Sequence, residues 1–186
     1  MTWPHDETLH AWWVKPNQLL AGEYPGAQTR AKATAKLRML AEAGVDTIID
    51  LTEDVDGLEP YSHLLGEITA DSDRSIRRYR HPIPDNHVID DAGYDDILAR
   101  INDEISSGKT VYVHCWGGRG RTSTVVGCWL IEQGLDYDAT IARLKELRCN
   151  TRKSHVSVPE SRSQHEVLRR RAERKQPDHV SAVPEL

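Results

Sequence analysis

A cysteine, three glycines and two arginines fall within the nine residues HCWGGRGRT, which directly follow the apolar-leaning run TVYV. A glycine-rich loop that leads into a helix presents several backbone N–H groups in one concavity, and the helix N-terminus adds its positive dipole end. Such a loop is suited to binding an anion. The Walker A motif does not explain it, because G-x-x-x-x-G-K-[ST] requires a lysine that these residues lack.

Cys115 stands where a nucleophile would serve this anion site. A thiol at a helix N-terminus beside arginine is favoured as the thiolate, which is the nucleophilic form. Arg121 lies six positions on, so the loop can curl until the planar guanidinium, which holds two phosphate oxygens, faces the sulfur. Thr122 follows, and its hydroxyl can reach the sulfur as well. A buried thiol beside a tight glycine turn would explain each residue singly, but the combination predicts phosphoryl transfer.

The elements that position this loop are predicted as an α/β fold. The loop lies between a predicted strand, TVYVHC, and a predicted buried helix, RTSTVVGCWLIEQG. Strands alternating with helices indicate a single domain with a central mixed, mostly parallel sheet flanked by helices on both faces. Ligands of such sheets bind beyond the carboxyl ends of the strands, which is where HCWGGRGRT begins. Further strands are predicted in the opening stretch, in VDTIIDLT and in IRRYRHPI, and further helices in TRAKATAKLRMLAEAG, YSHLLGEITA, AGYDDILARINDEISSG, DYDATIARLKELR and SVPESRSQHEVLRRR.

The ends of the predicted helices carry recognisable signals. Asp136 is a predicted N-cap. For the last helix, Ser157 and Glu160 match a capping box, with Pro159 in the first turn. Residues 53–60 are acidic and end in proline, which predicts a loop. We expect one domain over residues 1–175 and a flexible tail over 176–186.

Composition limits the function further. The chain has 186 residues and a formal net charge of −5, so nothing in the bulk charge suggests a nucleic acid partner. Cys115, Cys128 and Cys149 form neither a disulfide framework nor a metal-binding pattern. Cys128 is predicted to be a core residue, and a redox partnership between Cys149 and Cys115 is left open. The sequence has no apolar run long enough for a membrane span and no signal-peptide pattern, so we expect a cytoplasmic monomer.

The sequence resembles a known family at the same loop. HCWGGRGRT is similar to the signature loop of the cysteine-dependent protein tyrosine phosphatase superfamily, and the chain resembles its compact dual-specificity members, especially the kinase-associated phosphatase type. LLAGEYPG and VPESRSQ are similar to segments of small phosphatases of that superfamily. The resemblance implies a phosphocysteine mechanism without metal or cofactor, in which His114 hydrogen-bonds the backbone and helps set the acidity of Cys115. It also implies that the substrate phosphate is held by Trp116, Gly117, Gly118, Arg119, Gly120 and Arg121.

The mechanism also needs an acid that protonates the leaving oxygen. The family places an aspartate on a loop upstream of the nucleophile, and by this resemblance Asp85 in HPIPDNHVIDD is the acid. Asp90 and Asp91 are competitors, but both lie close to the start of the next helix, where capping would explain them. The order of acid and nucleophile does not fit low-molecular-weight phosphatases, and rhodanese-like domains lack this upstream acid loop.

The substrate is left open by these residues. We expect a phosphatase acting on phosphotyrosine, phosphoserine or phosphothreonine in proteins, with a phosphoinositide or inositol phosphate as the alternative. The second loop arginine, Arg119, could contact a further anionic group or be an exposed surface residue. Gln164 could help to place water near the pocket or be a solvated helix residue. A phosphate-binding module without turnover is the non-enzymatic alternative, but a binder needs no nucleophile.

Overall fold

The computed structural model describes residues 2–70 and 75–175, and one mixed sheet of five strands lies at its centre. In chain order the strands are β1 (Ala11–Lys15), β2 (Leu19–Gly22), β3 (Val45–Asp50), β4 (Arg77–Arg80) and β5 (Thr110–His114). Their spatial order is β1-β2-β5-β3-β4, and only the β1–β2 pair is antiparallel. The predicted mixed, mostly parallel sheet is therefore confirmed.

Helices cover both faces of this sheet, as predicted. They are α1 (Arg30–Glu42), α2 (Leu65–Ile68), α3 (Asp91–Ser106), α4 (Gly120–Glu132), α5 (Tyr137–Leu147) and α6 (Arg162–Lys175). Side chains along a strand alternate between the faces, so Tyr112 of β5 packs with α1 and α2, while Val111 and Val113 pack with α3 to α6. Helix α4 is buried along almost its whole length, which fixes the loop that precedes it.

The carboxyl ends of three neighbouring strands meet beneath that loop. In the strand register, His114 at the end of β5 pairs with Gly22 at the end of β2 and with Asp50 at the end of β3. Parallel strands that end side by side bring the segments that follow them to one edge of the sheet. The segments after β2, β3 and β5 are therefore the ones that can build a site around Cys115.

The last helix begins later than the sequence predicts. Gln164 N donates to Ser161 Oγ at 3.3 Å, and Ser161 N donates to Gln164 Oε1 at 3.1 Å, which is a capping box one turn further along the chain. The predicted box of Ser157 and Glu160, with Pro159 in the first helical turn, is wrong. The sequence contains both S-x-x-E and S-x-x-Q, and burial decides between them, because Gln164 is fully buried while Ser157 is exposed.

The remaining expectations concern the cap of α5, the C-terminal tail and a membrane-spanning helix. Asp136 caps α5 as predicted, accepting from Ala139 N at 2.8 Å. The predicted tail over residues 176–186 lies outside the described residues. Within the described residues, no helix combines the length and the apolar character that a membrane span needs.

Candidate active site

The loop between β5 and α4 has its carbonyl groups tied to the surrounding scaffold. The Cys115 oxygen accepts from His114 Nδ1 at 3.1 Å, the Trp116 oxygen from Tyr24 N at 2.9 Å, and the Gly117 oxygen from Lys153 Nζ at 2.9 Å. The first amides of α4 have no acceptor within the helix. A loop whose carbonyls bond to the scaffold, followed by helix amides without intrahelical acceptors, is suited to binding an anion.

One glycine is required by the shape of this loop. Gly118 has φ +69°, and a Cβ there would lie 2.6 Å from the Gly22 carbonyl carbon, so the loop can rest on the end of β2 only because this position lacks a side chain. At Gly120 a Cβ would lie 2.9 Å from Gln164 Nε2, so this side chain of α6 would have to shift.

Cys115 lies at the base of a cleft of about 280 Å³, and its side chain is almost completely buried. Trp116 forms one wall and is 55% exposed. The cleft brings together most of the residues that the sequence singled out. Its lining consists of Asp85, Asn86, Cys115, Trp116, Gly117, Arg119, Arg121, Lys153 and Glu160.

Arg121 is held by hydrogen bonds on one edge of its guanidinium, and its other edge, which faces Asp85, makes no hydrogen bond in the part of the chain that the structure describes. Nη1 donates to Asp56 Oδ2 at 2.7 Å and to the Ile83 oxygen at 3.0 Å. Among the described residues, Nε and Nη2 have no hydrogen-bond acceptor, although Asp85 Oδ1 lies 3.0 Å from Nη2. Burial opposes the charge of Arg121, but Asp56, Cys115 and Asp85 outweigh it and raise the pKa of the guanidinium. The Nε and Nη2 edge is thus a charged fork for two phosphate oxygens.

Asp56 is a residue of the site that the sequence analysis missed. The acidic run predicted as a loop contains a single turn of 3-10 helix, Asp54–Asp56, and only 4% of the Asp56 side chain is exposed. An available signal was its place just after β3, at the edge of the sheet where the cysteine loop begins. The run contains several acids, however, and their spacing does not show which one turns inward.

The three candidate acids are separated clearly by their contacts. Asp85 lines the cleft, lies against Arg121 and accepts from Asn86 Nδ2 at 3.0 Å. Asp90 caps α3, accepting from Gly93 N at 2.8 Å, and Asp91 forms ion pairs with arginines of α6. The geometry thus agrees with the choice of Asp85, and its role as the acid stays a prediction.

His114 connects the loop to a buried polar network under the sheet edge. Its Nδ1 faces the Cys115 carbonyl oxygen, which can only accept, so Nδ1 carries the hydrogen. Burial lowers the pKa of His114 despite the nearby charge of Asp50, so the ring is neutral and Nε2 accepts from the Tyr61 hydroxyl at 2.7 Å. Asp50 in turn accepts from Arg78 Nε at 2.8 Å. This chain of contacts orients the peptide group of the nucleophile.

Arg119 and Glu160 form an ion pair at the rim of the cleft. The arginine is 39% exposed in its side chain, and both residues line the cleft. The sequence analysis left open whether Arg119 contacts a second anion. In this structure the Glu160 carboxylate already pairs with the Arg119 guanidinium.

Four other residues occupy definite places. The Thr122 hydroxyl donates to the Gly22 oxygen at 3.3 Å, so its predicted contact with the sulfur is not formed here. Gln164 is fully buried beside the cysteine loop, so the solvated alternative is wrong. Cys128 is a core residue as predicted, and burial raises its pKa to about 12. Cys149 is exposed and lines a different pocket from Cys115, so the structure offers no contact for a redox pair.

Comparison with known proteins identifies the family. The family model described as "PTP-SAK: Swiss Army Knife protein, DSP-PTPase phosphatase domain" matches residues 9–180. The chain belongs to this family and is a dual-specificity-type domain of the cysteine-based phosphatase superfamily. The resemblance noted in the sequence is therefore confirmed.

One curated relative and two solved structures show how similar the chain is to known phosphatases. It is 33% identical over 142 residues to the Arabidopsis thaliana phosphatidylglycerophosphate phosphatase PTPMT2, covering 74% of this chain and 55% of that protein. The chain thus spans about half the length of that relative. The active form of Tk-PTP has a TM-score of 0.69 and 27% identity, over 88% of this chain and 97% of Tk-PTP. Kinase associated phosphatase, solved with its catalytic cysteine replaced by serine, has a TM-score of 0.69 and 18% identity, over 90% and 96%, and shows the shared fold.

The Asp56 contact predicts a selective loss in Asp56→Asn. Without the carboxylate charge, the buried Arg121 loses its anchor, and kcat/KM for p-nitrophenyl phosphate should fall about 10- to 100-fold, the range for a hydrogen bond to a charged group. Asp54→Asn is the matched control, because Asp54 is 89% exposed and pairs with Arg80 at the surface. Equal losses in the two variants would contradict the anchoring role of Asp56.

Proposed function

We propose that this domain hydrolyses phosphate monoesters through a covalent phosphocysteine at Cys115. The observation that carries the proposal is the cleft in which the buried Cys115, the Nε and Nη2 edge of Arg121 and Asp85 come together. A module that only binds phosphate would need the cradle and the arginine, but neither the thiol nor the acid. Membership in the cysteine-based phosphatase superfamily also supports turnover.

In the first step the Cys115 thiolate attacks phosphorus in line with the leaving oxygen. The S–P bond forms, the O–P bond breaks, and its electron pair goes to the leaving oxygen, which takes a proton from Asp85. Arg121 Nε and Nη2, with the loop amides, hold the non-bridging oxygens. The phosphate takes over the side of Arg121 that Asp85 faces in the structure, which frees Asp85 to turn toward the leaving oxygen.

In the second step water attacks the phosphocysteine. Asp85 takes the proton from the water, the new O–P bond forms, and the S–P bond breaks to release inorganic phosphate and the thiolate. Thr122, whose hydroxyl can reach the sulfur, eases the return of that thiolate. Its hydroxyl would then turn from the Gly22 oxygen toward the sulfur, across the base of the same loop.

The substrate class that we favour is a phosphorylated glycerol headgroup of a phospholipid. PTPMT2, which is 33% identical, is named for phosphatidylglycerophosphate. Such a substrate leaves as a primary alkoxide, a poor leaving group that depends on the proton from Asp85. Phosphoproteins, the first expectation from the sequence, are the second candidate, because HCWGGRGRT has the aromatic-Gly-Gly form of the kinase-associated phosphatase type.

Cys115→Ser should abolish turnover of p-nitrophenyl phosphate and retain phosphate binding. The hydroxyl is far less nucleophilic at neutral pH, but the cradle and Arg121 remain. Cys149→Ser is the matched control, since that thiol is exposed and outside the cleft, and it should keep wild-type turnover, also in excess chelator. Appreciable turnover by the Cys115 variant, or a loss in chelator that added metal restores, would overturn the covalent metal-free mechanism.

Asp85→Asn should cause a loss that depends on the leaving group. The amide cannot donate a proton, so alkyl phosphates and phosphopeptides should lose on the order of 100-fold or more in kcat, and the nitrophenyl ester much less. Asp90→Asn is the control, because asparagine caps a helix as well as aspartate does. A leaving-group-dependent loss in Asp90→Asn, with none in Asp85→Asn, would reverse the assignment of the acid.

The substrate class is tested by direct comparison. We expect kcat/KM for dispersed phosphatidylglycerophosphate to exceed that for phosphotyrosine and phosphoserine peptides by about tenfold or more, which is a difference of about 1.4 kcal/mol in transition-state binding. The Cys115→Ser protein supplies the background rate for each substrate. The opposite order would assign the domain to phosphoproteins and leave the phosphocysteine mechanism in place.

A further inference from the structure

We propose that a basic cluster beside the catalytic cleft is a subsite for a second phosphate-type anion of the substrate. The cluster consists of Lys36, Arg152 and Lys153 around the carboxylate of Glu23. This inference rests on the proposed function and adds to it the group that selects the substrate. The expected ligand is a phosphodiester or second phosphate a few bonds from the phosphate that reacts.

One carboxylate at the centre of the cluster is shared by three cations. Glu23 Oε2 lies 2.8 Å from Lys153 Nζ, and Oε1 lies 2.7 Å from Arg152 Nη2 and 3.7 Å from Lys36 Nζ. The Glu23 side chain is only 12% exposed. A single negative charge cannot neutralise three positive ones, so the cluster keeps a positive excess.

The neighbouring charged groups leave this excess in place. Arg119 and Glu160 pair with each other, and Asp6 accepts from the backbone of Arg152. The buried Arg148 adds another cation behind the cluster. The groove that Lys36 and Glu23 line also carries Glu59 and Asp56, of which Asp56 pairs with Arg121, so the positive excess is that of the cluster itself, where three cations face the single carboxylate of Glu23. Burial lowers the pKa of Lys36, and the charge of Glu23 opposes this effect while those of Arg152 and Lys153 add to it.

Lys153 joins the cluster to the catalytic cleft. Its Nζ donates to the Gly117 oxygen at 2.9 Å, and its side chain lines the same cleft as Cys115 and Arg121. Lys36 and Glu23 line an adjoining groove of about 490 Å³, which shares Trp116 with the cleft. An anion attached to the leaving group can therefore meet the cluster while the reacting phosphate lies over Cys115.

The segment that carries Lys153 is held in place from below. Arg148 Nη1 donates to the Val156 oxygen and Nη2 to the Lys153 oxygen, each at 3.0 Å. Arg148 itself is almost fully buried. The position of Lys153 is therefore set before a ligand arrives, which reduces the entropy lost on binding compared with a free surface lysine.

The test compares two soluble phosphomonoesters that both leave as a primary alkoxide of glycerol: glycerol 3-phosphate, and glycerophosphoglycerol phosphate, whose leaving group also carries a phosphodiester. For the wild type, kcat/KM should be higher for glycerophosphoglycerol phosphate than for glycerol 3-phosphate, and added salt should reduce this difference. In Lys153→Gln the ratio of the two kcat/KM values should fall about tenfold, the effect of one charged contact. Lys153→Arg should retain most of the ratio. Lys15→Gln is the control. Lys15 is exposed and pairs with Leu19 at the start of β2, whereas the cysteine loop lies beyond the other end of that strand.

The same pair of ligands separates failure of the subsite from failure of the proposed function. Dissociation constants measured by calorimetry in the Cys115→Ser background should show the same ratio and the same loss in Lys153→Gln without any turnover. An unchanged ratio in Lys153→Gln, or an equal fall in Lys15→Gln, overturns the subsite even if both compounds are hydrolysed. A preference that appears only with micellar phosphatidylglycerophosphate, and not with the soluble headgroup, would assign it to the lipid surface and also overturn the subsite.

Discussion

The active-site geometry depends on how one buried guanidinium is held. Arg121 is 1% exposed, and a buried charge needs a charged partner to offset its loss of hydration. Asp56 and the Ile83 oxygen bind Nη1, which leaves the Nε and Nη2 edge facing Asp85 and without a hydrogen bond to any residue that the structure describes. The turn after β3 and the loop after β4 are therefore both organised around Arg121. Asp85 belongs to the second of these, so the candidate acid is placed by the same contact that orients the phosphate ligand.

The cradle itself depends on the ends of the strands. The Cys115 carbonyl accepts from His114, whose ring accepts from the Tyr61 hydroxyl and lies beside Asp50 at the end of β3. Gly118 rests on Gly22 at the end of β2, closer than any side chain would permit. Because these strand ends are in register, the loop amides are held in position by the sheet. Electrostatic stabilisation works best from dipoles that need not reorganise during the reaction.

The chemistry and the substrate selection that we propose involve different parts of the chain. The groups assigned to bond making and breaking lie on the loops after β4 and β5. The groups that would distinguish one phosphomonoester from another lie after β2 and in the irregular segment between α5 and α6. That segment is anchored by Arg148 and carries Lys153 and Glu160 to the cleft. The proposed subsite therefore lies outside the cysteine loop that would carry out the chemistry.

The sequence by itself determined the parts whose physical cause is local. The cradle, nucleophile and arginine lie within nine consecutive residues because one backbone turn builds them, and the alternation of strands and helices follows from short-range hydrogen bonding and apolar periodicity. Asp85 was found through resemblance, and its place beside Arg121 agrees with it. Asp56 lies 65 residues from Arg121, and Lys153 lies 36 residues from Gly117. Their roles depend on which side chain of an acidic or basic run turns inward, and only tertiary packing decides this. The capping box of α6 shows the same limit, because two adjacent matches to one motif differ only in which residue the core buries.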